Sequence, residues 1–211
     1  ALVVGNSTHR HFANLENPRK DAKAVRTMLD ELGFGVTTVL DGTRRRMMRQ
    51  FRGFAERAAN ADLAVFFFAG HGFQFDGRNH LAGTDLRPVP EEARIENSIR
   101  LREIMAALRG SDAVKVILLD ACRDNPIADK LAGSTRSVAQ PEQGLARPDT
   151  TSVVTFIAFA TSPGTVAYDG RGRHSPFTTA FLRHADTAGL TLTGLMQKVR
   201  KDVLRATRGR Q

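Results

Sequence analysis

Leu63–Gly72 reads LAVFFFAGHG and Val114–Arg123 reads VKVILLDACR. These two stretches decide the fold. Leu63–Phe68 is apolar without a break and Val114–Leu119 nearly so, as expected of parallel strands buried on both faces. Each run ends in a different kind of residue, Ala69-Gly70-His71-Gly72 in the first and Asp120-Ala121-Cys122-Arg123 in the second. Ligands and reacting groups gather at the carboxyl ends of strands in open parallel sheets. If the two strands are neighbours, His71 and Cys122 meet above the sheet edge.

Strand and helix signals alternate outward from this pair, which argues for an α/β fold with a mainly parallel sheet. Ala1–Gly5 reads as a first strand. Asn17-Pro18 opens a helix to about Leu32, with Asn as N-cap and Pro at the first helical position. Gly33 ends it. Gly35–Leu40 is a second strand, rich in Val and Thr. Thr43 caps a helix to about Ala59. Phe73–Leu81 reads as a hairpin with Asp76-Gly77 near its tip. Ser98 caps a short helix to about Leu108. Residues 133–152 carry Gly, Ser, Pro and Gln without apolar period and read as a long connection. Val153–Phe159 is a further strand, and Pro176–Ala185 and Thr193–Arg205 are helices.

The chain of 211 residues suits one domain with a sizeable core. No apolar run reaches the roughly 18 residues of a membrane span, so no membrane role is expected. The opening ALVVGNS reads as a strand rather than a signal peptide. The chain lacks an initiator Met, which suggests a piece of a longer protein. The net charge of +9 raises nucleic acid as a ligand. The charge is scattered, however, and with no Trp and one Tyr there is little to stack on bases. A basic soluble surface is the expectation, with nucleic acid not the primary ligand.

Cys122 is the only cysteine, which excludes an internal disulfide and a multi-cysteine zinc site. A free thiol fits a reducing compartment, and a cytoplasmic location is expected. Thiolate is the attacking form of cysteine, and an adjacent imidazole can take the thiol proton and return it to a leaving amine. The glycines beside His71 let a substrate approach closely. The N–H groups of Gly72 and Cys122 are candidate oxyanion donors. The plainer alternative is a small core cysteine and a hydrogen-bonded histidine. His9, His11, His80, His174 and His184 have no comparable glycine context at a strand end.

Taken together, these motifs resemble the caspase–metacaspase family, in its bacterial caspase-like, or orthocaspase, branch. The caspase signature is Q-A-C-[RQG]-G, with a histidine about 50 residues upstream. Here Asp120-Ala121-Cys122-Arg123-Asp124 follows His71 at a spacing of 51. The opening ALVVGNS, Asp21-Ala22, Leu32-Gly33-Phe34 and Ala167-Tyr168-Asp169-Gly170…Ser175-Pro176-Phe177 also match, so the likeness covers nearly the whole chain. It implies the caspase-hemoglobinase fold, a twisted, mainly parallel sheet of about six strands flanked by helices. Five core strands are placed above; a sixth is expected after the last helix, yet the sequence stops at Gln211, so that strand is either missing from this piece or outside this reading. It also implies a cysteine endopeptidase with a dyad of His71 and Cys122, acting on proteins or peptides. Caspases dimerise through that edge, so oligomeric state is open, a monomer slightly favoured.

Two departures shape the expected specificity. Asp120 replaces the signature Gln, and Asp124 replaces its final Gly. Metacaspase-like members carry an acid two residues before the nucleophile and cut after Arg or Lys, where caspases cut after Asp. Asp120 holds that position, and Asp21 matches a second pocket acid. A carboxylate there selects a cation, and Arg can bind it bidentately. The alternative for Asp21 is a solvated acid favoured by the helix dipole. For Asp120 it is an aspartate orienting the next loop. Gly164–Gly172 is expected as another pocket wall.

The resemblance also implies a large-subunit-like part (1–132), a linker (133–152) and a small-subunit-like part (153–211). If the linker is cut, self-cleavage is expected at Arg136, with Arg147 disfavoured by Pro148 and Lys130 weaker still; the alternative is a surface linker that is never cut. No cofactor or metal is expected. Asp76, Asp85, Glu91 and Glu92 form no tight cluster for calcium. The rival functions are a non-catalytic caspase-like scaffold and a nucleotide-binding doubly wound domain. The latter lacks a phosphate loop, since Gly5-Asn6-Ser7 is too short.

Overall fold

The computed structural model describes residues 1–75, 77–87, 98–122, 155–161, 169–170 and 172–211. Five parallel strands form the main sheet: β1 (Leu2–Gly5), β2 (Thr37–Leu40), β3 (Leu63–Phe75), β6 (Val114–Cys122) and β7 (Thr155–Phe159). Their order across the sheet is β2-β1-β3-β6-β7. Strand β3 runs on past this sheet and turns antiparallel into β4 (Arg78–Ala82), through a turn with Gly77 at φ +65°. Strand β4 then pairs with β5 (Ser98–Arg100). The seven strands thus form one sheet with a hairpin-like extension growing from its central strand.

The two apolar runs occupy the middle of the sheet because both of their faces are covered. Leu2, Val4, Phe66, Phe68, Ile117 and Leu119 pack on one side, against α2 (Arg44–Ala58) and α3 (Leu101–Ala107). The alternate residues Val3, Val65, Phe67, Val116 and Leu118 pack on the other. There they meet α1 (Pro18–Glu31), α4 (Pro176–His184) and α5 (Leu192–Ala206). Phe67 and Phe68 are fully buried, each worth about 1.5–3 kcal/mol relative to exposure.

The helices follow the same logic. In α2 the buried residues Met47, Phe51, Phe54 and Ala58 recur at helical spacing, while most of its arginines face out. Thr43 caps it by accepting the Arg46 N–H at 3.3 Å. In α1 the buried stripe is Pro18, Asp21, Ala22, Val25, Met28 and Leu29. An acid therefore sits in a core-facing row. Gly33 at φ +86° lets the chain leave α1, where L side chains are strained.

Two expectations need correction. Ser98 is not a helix cap. It begins β5, its hydroxyl joins the buried His80 Nδ1 at 2.7 Å, and the helix starts at Leu101 after Arg100. Asn17 stands at the start of α1 but makes no side-chain cap: its backbone is already helical at φ −99° and ψ −27°, and its amide nitrogen donates to the Asp169 carbonyl. Beyond the main five, the hairpin strand β4 and β5 extend the sheet. The other elements lie within a few residues of their expected bounds.

Candidate active site

His71 ends the parallel part of β3, and in the ladder with β6 its register partner is Cys122. Paired positions on neighbouring strands lie roughly 4.8 Å apart. The two residues singled out from the sequence thus occupy facing positions at the carboxyl ends of adjacent strands. Gly70, at φ +154°, sits just before His71; a Cβ there would reach within 3.0 Å of the Phe68 ring and 3.3 Å of Asn6. That crowding and the backbone angle both favour glycine. Gly72 lies directly after His71 and opposite Leu81 in the hairpin.

The imidazole of His71 is 4% exposed, and its Nε2 donates to the Ala13 carbonyl at 2.8 Å. A carbonyl only accepts, so Nε2 carries the hydrogen in neutral His71 and Nδ1 is left with the lone pair. Ala13 is delivered by the loop after β1. The buried Asn6 starts that loop, accepting from the Gly42 N–H at 2.8 Å and donating to the Ala82 carbonyl at 3.0 Å. The Leu15 N–H closes the loop onto the Ser7 carbonyl at 2.9 Å. Phe12 buries itself against Phe73, Ala82 and Leu86. The same loop sets the His9 ring against His71, with centroids 4.6 Å apart and planes at 60°. Burial, and then the proximity of His71, push His9 down to about 4, so it stays neutral beside the other imidazole.

A second cluster lies on the face covered by α1 and α4. Asp120 follows the parity of Val116 and Leu118, and its Oδ2 accepts the hydroxyls of Ser175 and of Thr178, the latter at 2.9 Å. Asp21 is 1% exposed. Its Oδ1 lies 2.8 Å from His174 Nδ1, and its two oxygens are 3.3 and 3.4 Å from the Ser175 N–H. Both carboxylates therefore converge on Ser175. Among the described residues neither has a Lys or Arg in an ion pair; the partners are an imidazole, hydroxyls and an N–H. Burial, and then the charge of Asp120, raise Asp21 to about 8. Burial raises Asp120 to about 6, against the pull of its two hydroxyl donors.

Asp169 ties this region to the start of α1. Its Oδ2 accepts the N–H groups of Glu16 at 2.7 Å and Asn17 at 3.3 Å. Asp21 is therefore not the solvated first-turn acid that the dipole alone would favour. The sequence singled out Asp21 and Asp120 but missed their neighbours. His174, Ser175 and Thr178 come to Asp120 and Asp21 only through tertiary folding. His9 lacked the glycine context used as a guide, yet it packs on His71. One signal for Asp21 was present, an acid in the apolar stripe of its helix.

Asp76, Glu91, Glu92, Asp124, Lys130, Arg136, Arg147 and Gly164 lie outside the described residues. Among the described residues no group of three His, Cys, Asp or Glu side chains is gathered to hold a metal ion. No helix among them is long and apolar enough to cross a membrane.

Comparison with known proteins gives this arrangement a context. The caspase domain family matches residues 1–211. The human mucosa-associated lymphoid tissue lymphoma translocation protein 1 is 27% identical over 124 residues, covering 58% of this chain and 15% of that protein. Its mouse homologue is also 27% identical over 124 residues, covering 58% of this chain and 14% of its own length. Caspase-1-B of Xenopus laevis is 22% identical over 186 residues, 84% of this chain and 48% of that protein. The chain thus spans about half or less of the length of these relatives. With the match running from Ala1 to Gln211, and with a mainly parallel sheet of seven strands among the described residues and its flanking helices, the chain belongs to the caspase domain family, a family of cysteine peptidases.

Proposed function

We propose that the chain is a cysteine endopeptidase of the metacaspase-like kind that cuts after basic residues, Arg before Lys. One observation carries the specificity: two buried carboxylates, Asp21 and Asp120, converge on Ser175 without a Lys or Arg partner among the described residues. Buried anions need a counter-charge or else neutralise. A guest guanidinium or ammonium supplies it, and the planar guanidinium can engage a carboxylate with two hydrogen bonds.

In the reaction, His71 Nδ1 takes the thiol proton of Cys122, with Nε2–H held on the Ala13 carbonyl. The thiolate attacks the scissile carbonyl carbon. The N–H groups of Gly72 and Cys122 stabilise the developing oxyanion. As the C–N bond breaks, His71 returns its proton to the leaving amine, and the acyl group remains as a thioester. Water then attacks, giving its proton to His71, and the carboxyl product leaves with the thiol restored.

The test is a set of short fluorogenic peptides ending in Arg, Lys or Asp. Arg is expected to be cut best, Lys second and Asp negligibly. Cys122→Ala and His71→Ala should lower kcat/KM by a factor on the order of 10³ or more while leaving the circular-dichroism spectrum unchanged. Asp120→Ala should lower kcat/KM for Arg peptides at least about tenfold, or about 1.4 kcal/mol. Full activity in Cys122→Ala overturns the mechanism, and a wild-type preference for Asp overturns the pocket.

A further inference from the structure

The Asp21–His174 contact holds either a protonated acid donating to a neutral imidazole or a carboxylate receiving an N–H from the ring. The other charged groups around it come from each neighbouring element. Asp120 faces it from β6, Lys20 and Glu16 flank it on and before α1, and Asp169 and Arg173 lie on the segment leading into α4. Lys20 is directed to Asn17 Oδ1 at 3.4 Å and makes no ion pair with Asp21 among the described residues. Asp120 already has two hydroxyl donors, which favour its ionised form. Among the described residues Asp21 has only long N–H contacts besides the imidazole. Two like charges converging on one serine cannot both ionise cheaply, so one proton stays in the cluster.

We propose that His174 is a specificity-determining residue, and that the proton held at its contact with Asp21 stands in for the positive charge of a substrate side chain. This rests on the basic-residue reading of the pocket. A substrate guanidinium or ammonium arrives already charged, Asp21 gives up the shared proton, and that proton leaves to solvent. Charge inside the pocket is the same before and after. A neutral or acidic side chain cannot make the exchange. His174 is also the cover over Asp21, since its side chain is 19% exposed while that of Asp21 is 1% exposed. Burial, with Arg173 and Lys20 nearby, lowers the pKa of His174, which leaves Asp21 as the main seat of the proton.

Binding is measured on the Cys122→Ala protein by calorimetry, with a short Arg-containing peptide amide that the wild type cuts. Two buffers of different ionisation enthalpy, phosphate and Tris, count protons directly. About one proton per peptide should be released at pH 7, with Kd rising about tenfold for each pH unit below 8. Asp21→Asn in this background should bind more weakly at high pH and show little pH dependence, because the exchangeable proton is gone. His174→Ala should do the opposite at low pH. Water then reaches Asp21, its proton leaves at lower pH, and affinity at pH 6 improves severalfold. A merely structural role for His174 predicts weaker binding at every pH. Equal binding enthalpies in the two buffers, or a Kd constant within about twofold from pH 6 to 8, overturn the proton exchange while leaving the basic-residue reading intact. Failure of the wild type to cut any Arg peptide overturns both.

Discussion

His9 shows how much of the site depends on a residue with no motif around it. Its ring packs edge-on to His71, and its Nε2 donates to the Asn6 carbonyl at 3.2 Å. Removing the ring leaves space beside His71, the proposed base, and frees it to turn away from Ala13. His9→Ala should therefore lower kcat about tenfold, about 1.4 kcal/mol of barrier, with KM little changed. His9→Phe, which keeps the packing, should retain most of kcat. The pH dependence has a definite sign. Because its folded-state pKa is depressed to about 4, neutral His9 contributes stability that is present above about 6.5 and lost as the pH falls through 4. Phe has no proton to bind, so the melting temperature of His9→Phe should gain on the wild type as the pH drops from 6.5 to 4. Equal kcat loss in Ala and Phe variants would show that the imidazole itself, not its packing, matters. At this scale the sequence exposed His71, Cys122, Asp21 and Asp120 because each falls in a spacing or motif. It hid His9 and His174, and it gave Ser175 a place in a motif but no role, because their partners are supplied by loops that return from distant parts of the chain.

Among the elements, the central strands were legible because continuous apolar runs have few other uses. Strand β5 was not. Its three residues, Ser98, Ile99 and Arg100, carry no period, and they become a strand because β4 offers its edge and His80 takes the Ser98 hydroxyl. The close seating of α1 on β1 was equally invisible. A Cβ at Gly5 would stand 2.3 Å from the Pro18 carbonyl oxygen and 2.6 Å from the Ala22 Cβ. Neither is the tip of a flexible side chain, so the helix start must shift. Gly5→Ala should cost about 1–3 kcal/mol of stability by overpacking. It should also harm activity toward Arg peptides more than an equally destabilising change in α2, because Asp21 rides on α1 one turn beyond Pro18. Thermal melts alongside kinetics on both variants check this, and equal activity at equal stability would remove the link between α1 seating and the proposed pocket.

On the scale of the whole molecule, the sheet explains why a cut chain can remain one body. Residues 123–154 join the end of β6 to the start of β7, and Arg136, the expected self-cleavage site, lies within them. It is set in Ser-Thr-Arg-Ser, whereas Arg147 precedes Pro148, whose tertiary amide suits a peptidase site poorly. Any cut there separates two parts that stay bonded across the sheet. Lys115–Leu119 pair in parallel with Thr155–Phe159, α4 and α5 cover the same face as α1, and Asp169 accepts from Glu16 and Asn17 on the other part. The proposed pocket would span such a cut as well, since Asp21 and Asp120 lie before it and His174, Ser175 and Thr178 after it. Incubation at high protein concentration should therefore yield fragments ending at Arg136 by intact-mass analysis, in the wild type and not in Cys122→Ala. The two fragments should co-elute as one species under native conditions, separate in denaturant, and retain activity toward Arg peptides. Activity should also persist in the presence of a calcium chelator. Fragments that part under native conditions would mean that the sheet pairing and the shared pocket do not hold the halves together. Cleavage persisting in Cys122→Ala would assign the cut to another protease.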